Sequence, residues 1–196
     1  MPGEIIDPDI CTAKTLPSKY YTNDSEFQKI LSVFTGWQFA IHNSEFNDNT
    51  IIPLGHLESI NGESIILVKE EEVSALSNVC THRGMRLVLE PCNKNKLHCA
   101  YHGRSFHLDG KLRHMPEFDQ VNNFPSPSDN LTKFPLKNWN GMYFVSQTES
   151  ENLPWDLLKG RLQFLKIESF VHDPARDRDH SVKANWMLYV DNYLEG

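Results

Sequence analysis

The sequence predicts a mainly β fold with antiparallel strands and helices on its flanks, and three observations carry that reading. Between Trp37 and Ser146 the apolar residues fall in short runs rich in β-branched and aromatic side chains. Those runs are split by Asn61-Gly62, Asp109-Gly110 and Asn140-Gly141, dipeptides that favour tight antiparallel hairpins. Before and after this stretch the apolar spacing lengthens to that of a helix.

The elements follow in chain order. Residues 1–36 read as an N-terminal helical arm, with a short amphipathic helix over 23–34 (NDSEFQKILSVF). Asn23 to Ser25 offer capping oxygens, Phe27, Ile30, Leu31 and Phe34 share a face, and Gly36 stops it. Residues 37–150 form the β-domain. HLESI and SIILVK are expected to pair around Asn61-Gly62, SFHL and KLRHM around Asp109-Gly110, and MYFVSQ follows Asn140-Gly141. A third region, 151–196, opens with a helix over 154–165 that has Pro154 in its first turn. It ends in HSVKANWMLYVDNYLEG, where Trp186, Tyr189, Val190 and Tyr193 recur at helical spacing. The pattern stops at Gly196 in mid-element, so the sequence reads as part of a longer chain.

Bulk properties narrow the function classes. An apolar fraction of 39% and a charged fraction of 23% suit an ordinary folded protein. A net charge of -7 argues against nucleic acid and against anionic membrane as partners. No apolar run approaches the roughly 20 residues of a membrane span, and the acidic start MPGEIIDPDICTAK lacks the features of a signal peptide. A cytoplasmic setting is expected, with the four cysteines reduced or bound to metal.

The chemistry concentrates in two segments, CTHRGM at 80–85 and CAYHGRSF at 99–106. Cys80 and His82 are followed, after sixteen intervening residues, by Cys99 and His102. Each half sets one thiolate and one imidazole ahead of a glycine, Gly84 or Gly103. This suits two bends closing over a small inorganic cluster, because glycine lets the backbone turn sharply and bring N–H groups toward sulfide. In a Rieske [2Fe–2S] centre two cysteines hold one iron and two histidines the other, and the neutral imidazoles raise the reduction potential. The alternatives are a structural zinc site and four unrelated residues. Zinc takes like donors in pairs, cysteine with cysteine and histidine with histidine, whereas each segment here mixes them. Cys11 and Cys92 have no ligand-spaced neighbour and read as free thiols. His98 and His107 are expected to face away from the cluster, and His42, His56, His114, His172 and His180 stand alone.

SNVCTHRG, CAYHGRSFHLDGKL, MPEFDQVNNFP and NWMLYVDNYLEG together resemble the α-subunits of Rieske non-haem iron oxygenases, the ring-hydroxylating family. The resemblance implies that the chain continues into the start of an α+β, helix-grip catalytic domain. Respiratory Rieske proteins carry an extra cysteine in each loop, where this chain has Met85 and Tyr101, so no bracing disulfide is implied. Family members take electrons from a NAD(P)H-dependent reductase, directly or through a ferredoxin. They pass them to a mononuclear Fe(II) held by two histidines and a carboxylate, where O₂ and a small organic substrate react. By the same resemblance the protein is a homotrimer, and Glu195 with Asn192 links the cluster of one subunit to the mononuclear iron of the next. Glu at position 195 fits a subgroup resembling choline and carnitine oxygenases. The rival functional reading is a stand-alone Rieske ferredoxin.

Overall fold

The computed structural model describes residues 7, 9, 11–148 and 154–194. Two compact units emerge, residues 33–177 and residues 1–32 with 178–196, where the sequence places boundaries after 36 and 150.

The larger unit holds three antiparallel sheets. The first joins β1 (Gln38–His42), β10 (Met142–Val145) and β9 (Leu136–Trp139), in that order. The second runs β2 (Ile51–Pro53), β3 (Ile65–Lys69), β4 (Val73–Ser77) and β8 (Lys133–Phe134). The third is β5 (Leu97–His98), β6 (Ser105–Phe106) and β7 (Leu112–His114). β3 explains the arrangement. Its run Ile65-Ile66-Leu67-Val68 is apolar without alternation because both of its faces are buried. Ile65 and Leu67 join one core with Ala40, Phe46, Tyr143 and Val145 of the first sheet's side. Ile66 and Val68 join a second core with Leu97, Phe106 and the two cysteines Cys80 and Cys99. At roughly 1.5–3 kcal/mol for each fully buried aliphatic side chain, this strand anchors everything stacked on either side.

Two of the three expected hairpins form. β9 and β10 meet at Asn140-Gly141, with φ of 49° and 90° at the two turn residues, the left-handed pair a two-residue hairpin needs. β6 and β7 meet across Asp109-Gly110, though their strands are shorter than the predicted runs. The third expectation is corrected. HLESI is not a strand but lies in a helix, α3 (Gly55–Asn61), and Gly62 at φ 77° caps its end by donating its N–H to the Glu58 carbonyl. The neighbour of β3 on that side is β2 instead. The reason is burial at helical spacing: Leu54 and Leu57 are both inside, three residues apart. Positive φ at Gly serves a helix end as well as a hairpin.

The expected helix at 154–165 is α4 (Trp155–Leu162), directly after Pro154. Trp155 sits edge-on to Trp37 at 5.9 Å and to Phe144 at 5.0 Å, so α4 packs on the first sheet.

The helix expected over 23–34 is realised as α2 (Asp24–Leu31) and a 3-10 turn at Ser32–Thr35, with a separate short helix, α1 (Lys19–Thr22), before it. The Asn23 side-chain oxygen accepts from the N–H groups of Ser25 and Glu26, which starts α2 as its capping pattern predicts. α5 (Trp186–Leu194) confirms the helix in the last segment. Asn185 caps α5 through the Met187 N–H and donates to the Tyr21 carbonyl at 3.1 Å, while the Tyr21 hydroxyl donates to Asp191. Among the described residues no helix is long and apolar enough to cross a membrane.

Candidate iron–sulfur centre

Two short loops carry the four candidate donors, and their backbones are near copies. In the first, the Cys80 N–H donates to the Met85 carbonyl at 2.8 Å and the Gly84 N–H returns to the Cys80 carbonyl at 3.0 Å. In the second, the Cys99 N–H donates to the Arg104 carbonyl at 2.8 Å and the Gly103 N–H returns to the Cys99 carbonyl at 3.1 Å. Gly84 and Gly103 stand at φ 70° and 75°, a region a side chain resists by about 1–2 kcal/mol. At Gly103 a Cβ would also meet the Pro116 ring at 3.0 Å. Both glycines expected to bend the chain therefore do so.

The donors converge by type. Cys80 and Cys99 are each only 2% exposed, and their thiols are within hydrogen-bonding reach of one another. The His82 and His102 rings lie 4.8 Å apart, toward solvent. His82 Nδ1 is buried and has no hydrogen-bond partner among the described residues. A buried, unpartnered ring nitrogen is costly unless something else takes its lone pair. Burial pushes the Cys80 thiol up, the Cys99 thiol pushes it the same way, and a hydrogen bond from the His82 backbone opposes them. Desolvation, then the charges of His102, Arg104 and Arg83, hold His82 below its ordinary value. The neutral ring is the form that binds metal, and a metal ion deprotonates a thiol outright.

Among the described residues no three His, Cys, Asp or Glu side chains are placed to hold a single ion. A thiol pair and an imidazole pair are the donor types that a mixed-ligand two-iron cluster takes.

Side chains that the sequence reading passed over brace the loops. Asn78 is buried at the root of the first loop, donating to the Val88 carbonyl at 2.7 Å and accepting from the Val88 N–H at 2.9 Å. It also donates to the Ser64 hydroxyl at 3.3 Å. Arg104, 3% exposed, donates to the Thr81 hydroxyl at 2.7 Å and to Asp129 at 3.2 Å, and its guanidinium lies 5.6 Å from the Phe124 ring centre. Thr81 in turn donates to the Asp129 carbonyl at 2.8 Å. Tyr101 stacks on His102 at 3.7 Å, and Phe118 stands edge-on to His82 at 6.3 Å. Asn78 and Arg104 do lie inside the quoted motifs, two residues before one cysteine and five after the other. That proximity was the available signal.

The remaining residues fall outside the centre. Cys11 and Cys92 are free, and His98 and His107 are exposed. His42 pairs with the Ser44 hydroxyl at 2.9 Å, and His172 with Asp177 at 2.8 Å. Asn192 is exposed on α5, and Glu195 lies outside the described residues.

Comparison with known proteins agrees with the geometry. Residues 36–125 match the Rieske [2Fe–2S] domain family, so the larger unit contains a Rieske [2Fe–2S] domain. The chain is 32% identical to the carnitine monooxygenase oxygenase subunit of Escherichia coli K12, over 99% of this chain and 54% of that subunit. It is 26% identical to the chloroplastic choline monooxygenase of Beta vulgaris, over 96% of this chain and 44% of that protein. Among solved structures, the quaternary ammonium Rieske monooxygenase CntA in complex with L-carnitine superposes with a TM-score of 0.78 at 27% identity, covering 92% of this chain and 53% of that one. The chain is similar to Rieske oxygenase subunits along nearly its whole length, as its motifs imply, and spans about half the length of the curated relatives it matches.

Proposed function

We propose that Cys80, His82, Cys99 and His102 hold the [2Fe–2S] cluster, and that this chain is the electron-receiving part of an oxygenase subunit. The observation that carries the ligand assignment is the two-and-two convergence of sulfur and imidazole, with His82 Nδ1 buried and unpartnered. The bound cluster supplies one-electron redox chemistry. The protein's own residues do the rest. Cys80 and Cys99 keep the thiolate side away from water, and Tyr101, stacked on His102, fixes that ring at the surface where a donor or acceptor approaches.

In the whole protein, electrons come from a NAD(P)H-dependent reductase or a ferredoxin. They go on to a mononuclear Fe(II) held by two histidines and a carboxylate, where O₂ oxidises a small organic substrate. The similarity to carnitine and choline monooxygenases favours a quaternary ammonium substrate. A homotrimer in the cytoplasm is the assembly and setting proposed, with Glu195 and Asn192 as the link between the two iron centres. A stand-alone ferredoxin is disfavoured because the similarity to oxygenase subunits runs over 99% of the chain, well beyond residues 36–125.

The ligand assignment is tested by the EPR spectrum of the dithionite-reduced protein, which should show an average g below two. His102→Cys should keep iron and sulfide but lower the midpoint potential, since a thiolate adds negative charge. An unmoved midpoint removes His102 from the set. The oxygenase assignment is tested with the full-length gene product. Carnitine or choline should couple NAD(P)H oxidation to O₂ uptake in the presence of the reductase, and failure with every quaternary ammonium compound tried overturns the substrate class.

A further inference from the structure

Arg104 is a charged residue in an apolar setting, and its hydrogen bonds do not account for its charge. Its side chain is 4% exposed and has one carboxylate partner, Asp129, at 3.2 Å. A neutral hydroxyl, Thr81, takes a second N–H, and the buried Nε–H has no partner among the described residues. Burying a guanidinium with one partner at that distance is expensive, so such a residue persists where its charge has use. Arg104 is tethered to the second loop through its carbonyl, which accepts from Cys99, and reaches across to the first loop at Thr81. The guanidinium therefore sits behind both halves of the donor set.

We propose that the buried Arg104 guanidinium sets the reduction potential of the centre, holding it above the value that two thiolates and two imidazoles alone would give, and that Asp129 moderates the effect. The inference builds on the ligand assignment proposed above. Its sign follows from charge. A two-iron, two-sulfide core with two thiolates is neutral when oxidised and carries one negative charge after taking an electron from a donor. A fixed positive charge nearby stabilises the reduced form, more so where water is excluded. Thr81, which accepts from Arg104 at 2.7 Å, lies between Cys80 and His82, and the Arg104 carbonyl accepts from Cys99, so the guanidinium field falls on donors of both loops. Arg83, beside His82 in the chain, is exposed, where water and salt screen it.

A purely structural staple predicts something different: any variant that loosens the loops should move the centre the same way. The test compares three variants by redox titration with dithionite, with EPR of the reduced state as the control. Arg104→Met should lower the midpoint, Arg104→Lys should restore most of the loss, and Asp129→Asn, which leaves the cation uncompensated, should raise it. A lower midpoint for Arg104→Met together with a higher one for Asp129→Asn supports the proposal; any other pair of signs, or no shift, overturns it. If Arg104→Met fails to retain a cluster, Asp129→Asn decides alone, an upward shift supporting and an unchanged or lower midpoint overturning. A wild-type protein without the low-average-g signal defeats the ligand assignment itself, and this inference with it.

Discussion

The loop at Cys80 and the loop at Cys99 fold the same backbone turn, yet different chemistry locks each. In the first, Asn78 imitates a strand partner, meeting both polar groups of the Val88 backbone with one neutral amide. In the second, a charged side chain does the bracing, with Arg104 held by Asp129 and Thr81. The second loop is also crowded from outside, since Pro116 lies against Gly103 while nothing stands near Gly84. A shared turn can thus present one cysteine and one histidine from each side of the centre. The braces behind it are free to differ, and a charged brace adds an electrostatic influence that a neutral one lacks.

The largest expected effect ignores the difference. Cys80→Ala and Cys99→Ala should each abolish the cluster, read as loss of iron and sulfide from the purified protein; full retention by either would remove that residue from the ligand set. Next comes the neutral brace. Asn78→Leu strands the Val88 N–H and carbonyl in the core and should cost about 2–4 kcal/mol in urea denaturation. A cost below 1 kcal/mol, taken roughly as the floor for an unmet buried group, would show that the first loop is held by something else.

The glycines sharpen the contrast. Gly84→Ala meets only the backbone penalty of its positive φ, about 1 kcal/mol, whereas Gly103→Ala adds the contact with Pro116 and should cost about 2 kcal/mol. Equal costs by thermal unfolding would mean Pro116 gives way freely.

The smallest effect is a pH dependence that falls first on the second loop. A backbone hydrogen bond from Ser126, aided by its hydroxyl and by Arg104, holds the Asp129 carboxyl below its ordinary value. A depressed carboxylate contributes stability that is present above its unfolded value of about 3.9 and lost as pH falls through the folded one. Acid should therefore loosen the second loop, while Asn78, which does not titrate, keeps the first. Hydrogen exchange at Cys99 and Gly103 should rise below about pH 4 before exchange at Cys80 and Gly84 does, and Asp129→Asn should erase that acid-induced difference.

Much of this was legible in the sequence, and the losses are instructive. Cys80, His82, Cys99 and His102 stood out because mixed donors ahead of glycines make a local pattern, and the Asn140-Gly141 hairpin because turn chemistry is local too. HLESI failed for a non-local reason. Leu54 and Leu57 are buried at a spacing that only the neighbouring β2 and β3 make favourable, so the helix won over the hairpin. His42 and His172 looked solitary because their partners, Ser44 aside, could not be inferred from spacing.

By itself the sequence pointed to the proposed donor set, the bends that present it and the β character of the domain, because each is written within a few residues of chain. Only the tertiary structure decided what stands behind those bends. Thr81 meets Asp129 across 48 residues and Arg104 meets it across 25, contacts made by tertiary folding and by no periodicity in the chain. Ligand identity is local chemistry, whereas the charge felt by the ligands is a property of packing.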